Sequence, residues 1–198
     1  DLTYTVKYLE KGTEKVLAKD KKVDSCIFDA EITEEAISIT GYNKLEPSKQ
    51  TITIKTSNNE ITFYYSKKND LTYTVNYLEQ GTDKVLADTK IQDSQTFEAE
   101  VTETAITING YVKAEPSTQT ITIREDGNVI NFYYTKRTDL NYTVNYLELE
   151  TNDVLSGPKT VRNQTFESVA EETAIDIDGY VKAAPTSQKI TIGTGENV

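Results

Sequence analysis

The sequence predicts an α+β fold, built as three small β-grasp (ubiquitin-like) domains in tandem along an elongated rod, and three observations predict it. The chain of 198 residues opens with DLTYTVKYLE at Asp1, and the stretch returns as DLTYTVNYLE at Asp70 and DLNYTVNYLE at Asp139. A constant interval of 69 residues makes each copy a candidate domain, with boundaries at 1–69, 70–138 and 139–198. Within a copy, apolar and polar residues alternate with period two near both ends, whereas the middle spaces its apolar residues four apart. The order strand, strand, helix, strand, strand, strand then describes a unit in which one helix covers one face of a mixed sheet.

The first element is LTYTVKYLE, where Leu2, Tyr4, Val6 and Tyr8 alternate with Thr3, Thr5 and Lys7. Alternation among β-branched and aromatic residues is a strand with one buried face. Gly12, Thr13 and Lys15 supply turn chemistry ahead of VLA, so a hairpin is expected. The third copy has Glu150 in place of that glycine, and a longer loop around ETND is expected there. Next come FDAEITEEAISI (28–39), FEAEVTETAITI (97–108) and FESVAEETAIDI (166–177). Phe28, Ile32 and Ala36 have helical spacing, so a short helix is expected. Thr and Ile lower its propensity and leave it dependent on packing against the sheet.

Gly41, Gly110 and Gly179 then suit a helix exit or a bulge, and Pro47, Pro116 and Pro185 the end of an edge strand. TITIK (51–55) and EITFYYSK (60–67) alternate again. They are joined by TSNN in the first copy and EDGN in the second, where Asp126-Gly127 signals a hairpin. In the pair Tyr64-Tyr65 one ring must face the core and the other the opposite face of the strand. The remaining tyrosines read as core residues with hydroxyls satisfied at its rim.

Composition narrows the function. The chain has no His, which removes the usual general base, the usual zinc ligand and the common nucleophile-base pairs together. No enzymatic activity, catalytic residue, metal or cofactor is expected, and no residue is assigned as a ligand contact. Cys26 is the single thiol, and Gln95 and Gln164 occupy its place in the other copies, so no disulfide within the chain is possible. Cys26 reads as a chance replacement of a polar residue, with a Cys–Gln thioester as the sharper alternative. A formal charge of −11 opposes binding to nucleic acid, and no run of about 18 apolar residues could span a bilayer. Acidity builds along the chain: the copies carry 11, 6 and 4 basic side chains against 11, 11 and 10 acidic ones.

The succession Y-T-V-x-Y, a G-x-x-x-V-L hairpin, I-x-G-Y and N-x-I-x-F-Y-Y resembles the MucBP (mucin-binding protein) repeat of cell-wall adhesins in Gram-positive bacteria. The second copy holds the fullest set, in YTVNYLE, GTDKVLA, INGYVKAEP and NVINFYYTK, and the match covers essentially the whole chain. The resemblance implies a secreted, extracellular, cell-surface parent protein, joined to peptidoglycan through a C-terminal anchor outside this fragment. It also implies host mucin glycans or glycoproteins as partners for some members, while many such repeats act as spacers. A monomer is expected.

Two functional readings follow. In one, the copies form a stalk, separated only by the short polar linkers SKKND and TKRTD, and three in line would make a rod on the order of 80 Å. In the other, each copy binds mucin or glycan weakly and repetition supplies avidity. A Lys–Asn crosslink at Asn76 and Asn145 is not expected, because the first copy has Lys7 there. Finally, the partner of Ile130, Phe132, Tyr133 and Tyr134 in the third copy falls beyond Val198. Residues 139–198 are therefore expected to lack a last strand, and the full-length protein to continue with one resembling INFYY.

Overall fold

The computed structural model describes residues 1–198 and contains sixteen strands and no helix. In the first copy these are β1 (Leu2–Glu10), β2 (Lys21–Cys26), β3 (Glu31–Glu35), β4 (Tyr42–Lys44), β5 (Lys49–Thr53) and β6 (Glu60–Lys67). The second copy repeats them as β7 (Leu71–Glu79), β8 (Val85–Gln95), β9 (Glu100–Thr104), β10 (Tyr111–Lys113), β11 (Thr118–Thr122) and β12 (Val129–Lys136). The third has β13 (Leu140–Leu147), β14 (Val154–Gln164), β15 (Val169–Thr173) and β16 (Ser187–Thr191). By Cα proximity the chain divides into two compact units. The first holds Asp1–Val75, Lys90–Glu103 and Thr120–Ile130, and the second Asn76–Thr89, Thr104–Gln119 and Asn131–Val198.

The expected α+β, β-grasp class is therefore overturned: the fold is all-β. The segment read as a helix forms β3, which pairs antiparallel with β5 from Glu31↔Thr53 to Glu35↔Lys49. Phe28, Ile32 and Ala36 are four apart, and four is also a multiple of the strand period, so the spacing fits either element. Two local features decide for the strand. Asp29 has a left-handed φ of 67°, repeated at Glu98 (63°) and Glu167 (62°), which breaks any helix after the phenylalanine. The β-branched Ile32 and Thr33 favour extended backbone, and Thr33 Oγ1 meets Thr51 Oγ1 across the ladder at 2.7 Å.

The two flanking alternations form the main sheet of the first copy, in the order β2-β1-β6-β4. β1 runs antiparallel to β2 and parallel to β6, and β4 is antiparallel to β6. The last strand is thus central. The core lies between this sheet and the β3-β5 pair, where Tyr4, Val6, Tyr8, Ile54, Ile61, Phe63 and Tyr65 are all buried. Hydrogen bonds tie the two sheets: Tyr4 Oη donates to Glu34 Oε1 at 2.5 Å, and Lys21 Nζ reaches the same oxygen at 2.6 Å. Tyr65 Oη donates to the Ile37 carbonyl at 2.9 Å. Its neighbour Tyr64 is 37 % exposed, as is Tyr133 in the second copy, so the split of each Tyr pair across the strand holds.

The hairpin expected between TITIK and EITFYYSK does not form, because β5 pairs with β3 while β6 pairs with β1 and β4. The turn between them carries the chain from one sheet to the other. Asn59 holds it, bonding Lys55 N–H and the carbonyls of Lys55 and Thr3 at 2.8–3.1 Å. The early loop has one span in all copies, closed by Glu10 N–H to Lys15 O, Glu79 N–H to Lys84 O and Glu148 N–H to Asp153 O. Replacing glycine by Glu150 therefore does not lengthen it: the left-handed φ of Gly12 (88°) and Gly81 (85°) is not kept at Glu150, while that of Glu14 (56°) and Asp83 (54°) recurs at Asn152 (64°). Three X-Pro bonds, before Pro47, Pro116 and Pro185, are cis.

The second copy repeats the order as β10-β12-β7-β8 with a β11-β9 pair. In the third copy β13 pairs only with β14, and no strand forms at Tyr180–Lys182, where the others have β4 and β10. Those short strands exist by pairing with the last strand of their copy, as Tyr42↔Lys67 and Tyr111↔Lys136. Tyr180 is 49 % exposed where Tyr42 is 7 %.

Candidate functional site at the repeat junctions

The most elaborately built constellation joins one copy to the next. After β6, Lys68 donates its N–H to the Gly41 carbonyl, and its own carbonyl accepts the Phe97 N–H, each at 2.9 Å. One linker residue is thereby fixed to both copies. The Phe97 ring, carried on the turn before β9, meets Tyr42 edge-on, with centroids 5.7 Å apart and planes at 69°. It also lies flat over Gly41, whose φ of 81° and missing Cβ are both required: a methyl group there would overlap the ring. The glycine read as a helix exit or a bulge thus serves close approach by the next copy.

Charges ring this contact. Glu98, beside Phe97, receives Lys67 at 3.0 Å and Lys15 at 3.3 Å. The Lys67 hydrogen bond, with Lys15 adding to it, holds the Glu98 carboxyl below its ordinary pKa. Lys68 pairs with Glu125, and that bond, together with the Gly41 N–H, lowers the Glu125 carboxyl as well. The Lys15 ammonium is raised, first by Glu98 and then by the Tyr42 phenol beside it. Tyr42 Oη itself is buried without a hydrogen bond of ordinary geometry.

The second junction repeats the design. Arg137 N–H donates to Gly110 O and Phe166 N–H to Arg137 O, both at 2.9 Å. Phe166 meets Tyr111 edge-on at 5.6 Å and 74°, over a Gly110 that again leaves no room for a Cβ. Lys136 pairs with Glu167 at 3.0 Å. The outer contact differs: Asn109 Nδ2 donates to Thr194 Oγ1 at 2.8 Å in place of the Lys68–Glu125 pair. Two equivalent residues make no such contact. Phe28 is 61 % exposed, and a Cβ on Gly179 would touch nothing within 4 Å.

Residues singled out in the sequence have structural settings. Cys26 Sγ lies 3.6 Å from the Val23 carbonyl, while Gln95 and Gln164 bond the Asp93 and Arg162 carbonyls at 2.8 and 2.9 Å. All three positions thus satisfy a carbonyl of their own strand. The Asn76 amide is held by Asn131 at 2.9 Å and Thr89 at 3.0 Å, and Lys7 by Glu60 at 2.7 Å. The junction itself escaped the reading of the sequence. Its trace there is the recurrence of Phe28, Phe97 and Phe166 together with Gly41, Gly110 and Gly179, which no single copy explains.

No family model and no curated protein matches the chain. Among solved structures it is similar to the type 2 repeat of the mucus binding protein MUB from Lactobacillus reuteri, at 16 % identity over 69 % of this chain and 100 % of that one, with a TM-score of 0.26. Mub-RV is similar at 12 % identity, over 69 % of this chain and 99 % of that one, with a TM-score of 0.26. The Bacillus anthracis TIE protein is similar at 13 % identity over the whole of this chain and 49 % of that one, with a TM-score of 0.44. The pattern of the sequence itself is what resembles the MucBP repeat.

Proposed function

We propose that the chain is the repeat region of a cell-wall-anchored bacterial surface adhesin, with the copies at 1–69, 70–138 and 139–198 serving as successive domains of a stalk. The observation that carries this reading is the junction. A linker residue bonded on both sides, an aromatic ring seated over a glycine and a surrounding set of ion pairs restrict hinging between copies, as a spacer requires. In this reading the parent protein is extracellular, and the chain acts without enzymatic chemistry or cofactor.

A second reading, multivalent contact with host mucin or glycoprotein, draws on Tyr64 and Tyr133, which present rings at equivalent exposed positions. Aromatic faces are the usual platform for sugar rings, and two weak sites in series would gain avidity. The test is binding of the 198-residue chain to immobilised mucin and to a glycan array, beside a Tyr64→Ala/Tyr133→Ala variant. The stalk reading expects no saturable binding at micromolar concentration by either. Saturable binding that the double substitution abolishes would replace it with the multivalent one.

A further inference from the structure

In the first copy the strands that receive and release the chain are neighbours, and they are parallel. β1 and β6 run in register from Thr5↔Glu60 through Val6↔Ile61 and Tyr8↔Phe63 to Glu10↔Tyr65. Further bonds extend the ladder at each end, Thr5 N–H to Asn59 O at 3.0 Å and Lys11 N–H to Tyr65 O at 2.9 Å. β2 covers the outer edge of β1 and β4 that of β6, so this ladder is interior to the sheet. Val6, Phe63 and Tyr65 beneath it are 0 % exposed, which keeps water from one face of the bonds.

This arrangement determines how tension along the chain is felt. In a parallel pair the start of the first strand and the end of the last lie at opposite ends of the ladder. Pulling residue 1 away from residue 69 therefore slides β1 and β6 past each other along their length. All the bonds between them are loaded together, in shear. Were the same two strands antiparallel, entry and exit would share one end and the bonds would open one after another. The second copy has the same device: β7 lies beside β12, and the bonds Thr74 N–H to Asn128 O and Gln80 N–H to Tyr134 O advance by equal steps on both strands, as parallel register demands. β13 of the third copy has only the antiparallel β14.

We propose that each of the first two copies is a tension-bearing unit, in which the parallel terminal strands act as a shear clamp and set the force at which the copy opens. The proposal deepens the stalk reading and rests on it, since a stalk between a wall and an attached surface carries load. Lys68 and Arg137, each bonded to the copies on either side, hand the load from one clamp to the next.

The test is single-molecule force spectroscopy on the full 198-residue chain held at its two ends. Two high-force openings are expected, each releasing roughly 200 Å of contour at about 3.3–3.6 Å per residue, with the third copy opening below them. The decisive comparison changes only the direction of pull. In a Cys26→Gln background, handles on Lys11→Cys and Asn69→Cys, both exposed, grip the two strands of the clamp at one end and peel them apart. The opening force of the first copy is expected to fall several-fold. Equal forces in the two directions, or three openings of equal force, would overturn the clamp. Mucin binding would strike only the stalk reading and leave the directional comparison standing.

Discussion

Phe97 occupies the space that a Cβ on Gly41 would need, so a ring from one copy is read by the absence of a side chain in the copy before it. Gly41 and Gly179 share nearly the same φ, 81° and 83°, but only Gly41 carries a ring. Gly179→Ala should cost only the left-handed backbone term, about 1–2 kcal/mol. Gly41→Ala should cost measurably more and should loosen the junction. Thermal melts of the two variants, with limited proteolysis at the SKKND linker, would check the difference; equal losses would mean the ring contact contributes nothing.

The phenylalanines offer the reciprocal comparison. Phe97→Ala removes a half-buried ring and its edge-on contact with Tyr42, and about 1–3 kcal/mol of destabilisation is expected in denaturant titrations. Phe28→Ala alters an exposed side chain and should stay within about 0.5 kcal/mol.

Acid should weaken the tie between the two sheets. Burial alone would raise the Glu34 carboxyl, but the hydrogen bonds from Lys21 and Tyr4 outweigh it and its pKa is lowered; Glu103 behaves alike with Lys90 and Tyr73. A folded pKa below the unfolded one gives stability that is fully present above the ordinary carboxyl pKa, about 4.3, and is lost as pH falls through the folded value. Urea midpoints should therefore drop between about pH 5 and pH 3, and Glu34→Gln/Glu103→Gln should flatten that drop while lowering the midpoint at pH 7. At the alkaline end, burial and then Glu34 push the Tyr4 phenol up to about 12, so it remains a donor well past pH 10.

The third copy should not fold by itself. The positions that Ile61, Phe63 and Tyr65 fill in the first copy, 0–1 % exposed, have no counterpart between Asp139 and Val198. Each such side chain is worth roughly 1.5–3 kcal/mol, against a small-domain stability on the order of 5 kcal/mol. Circular dichroism of residues 139–198 should show no cooperative melt, and appending INFYYTKR should restore one. A cooperative melt of the unextended piece would place the domain boundary in another phase.

The terminal strands were legible because Tyr4, Val6 and Tyr8 alternate without interruption, and a two-residue period has no competing interpretation there. The centre of the copy was not, because spacing by four satisfies a strand and a helix equally. The residue that decides, Asp29 or its counterparts Glu98 and Glu167, takes a left-handed φ without being glycine or asparagine. The crossing from β5 to β6 was misread for a related reason: Asp126-Gly127 does mark a turn, with Gly127 at φ 68°, but a turn signal does not say which sheet the chain enters next. The junction was out of reach for a different one. Phe97 and Gly41 are 56 positions apart and belong to different copies, so no reading of one copy could join them.

Because the ring, the glycine and the doubly bonded linker residue of each junction recur at the same offset, any copy presents to its successor the same central contact. Removing residues 70–138 would bring Phe166 onto Gly41 and Tyr42 and leave a linker of unchanged length. Exchange in register between copies that open with DLTYTVKYLE and DLTYTVNYLE would then add or delete whole copies without displacing the ring from its glycine. The number of repeats becomes a quantity that selection can vary freely, while the seam, which every array must share, is held fixed.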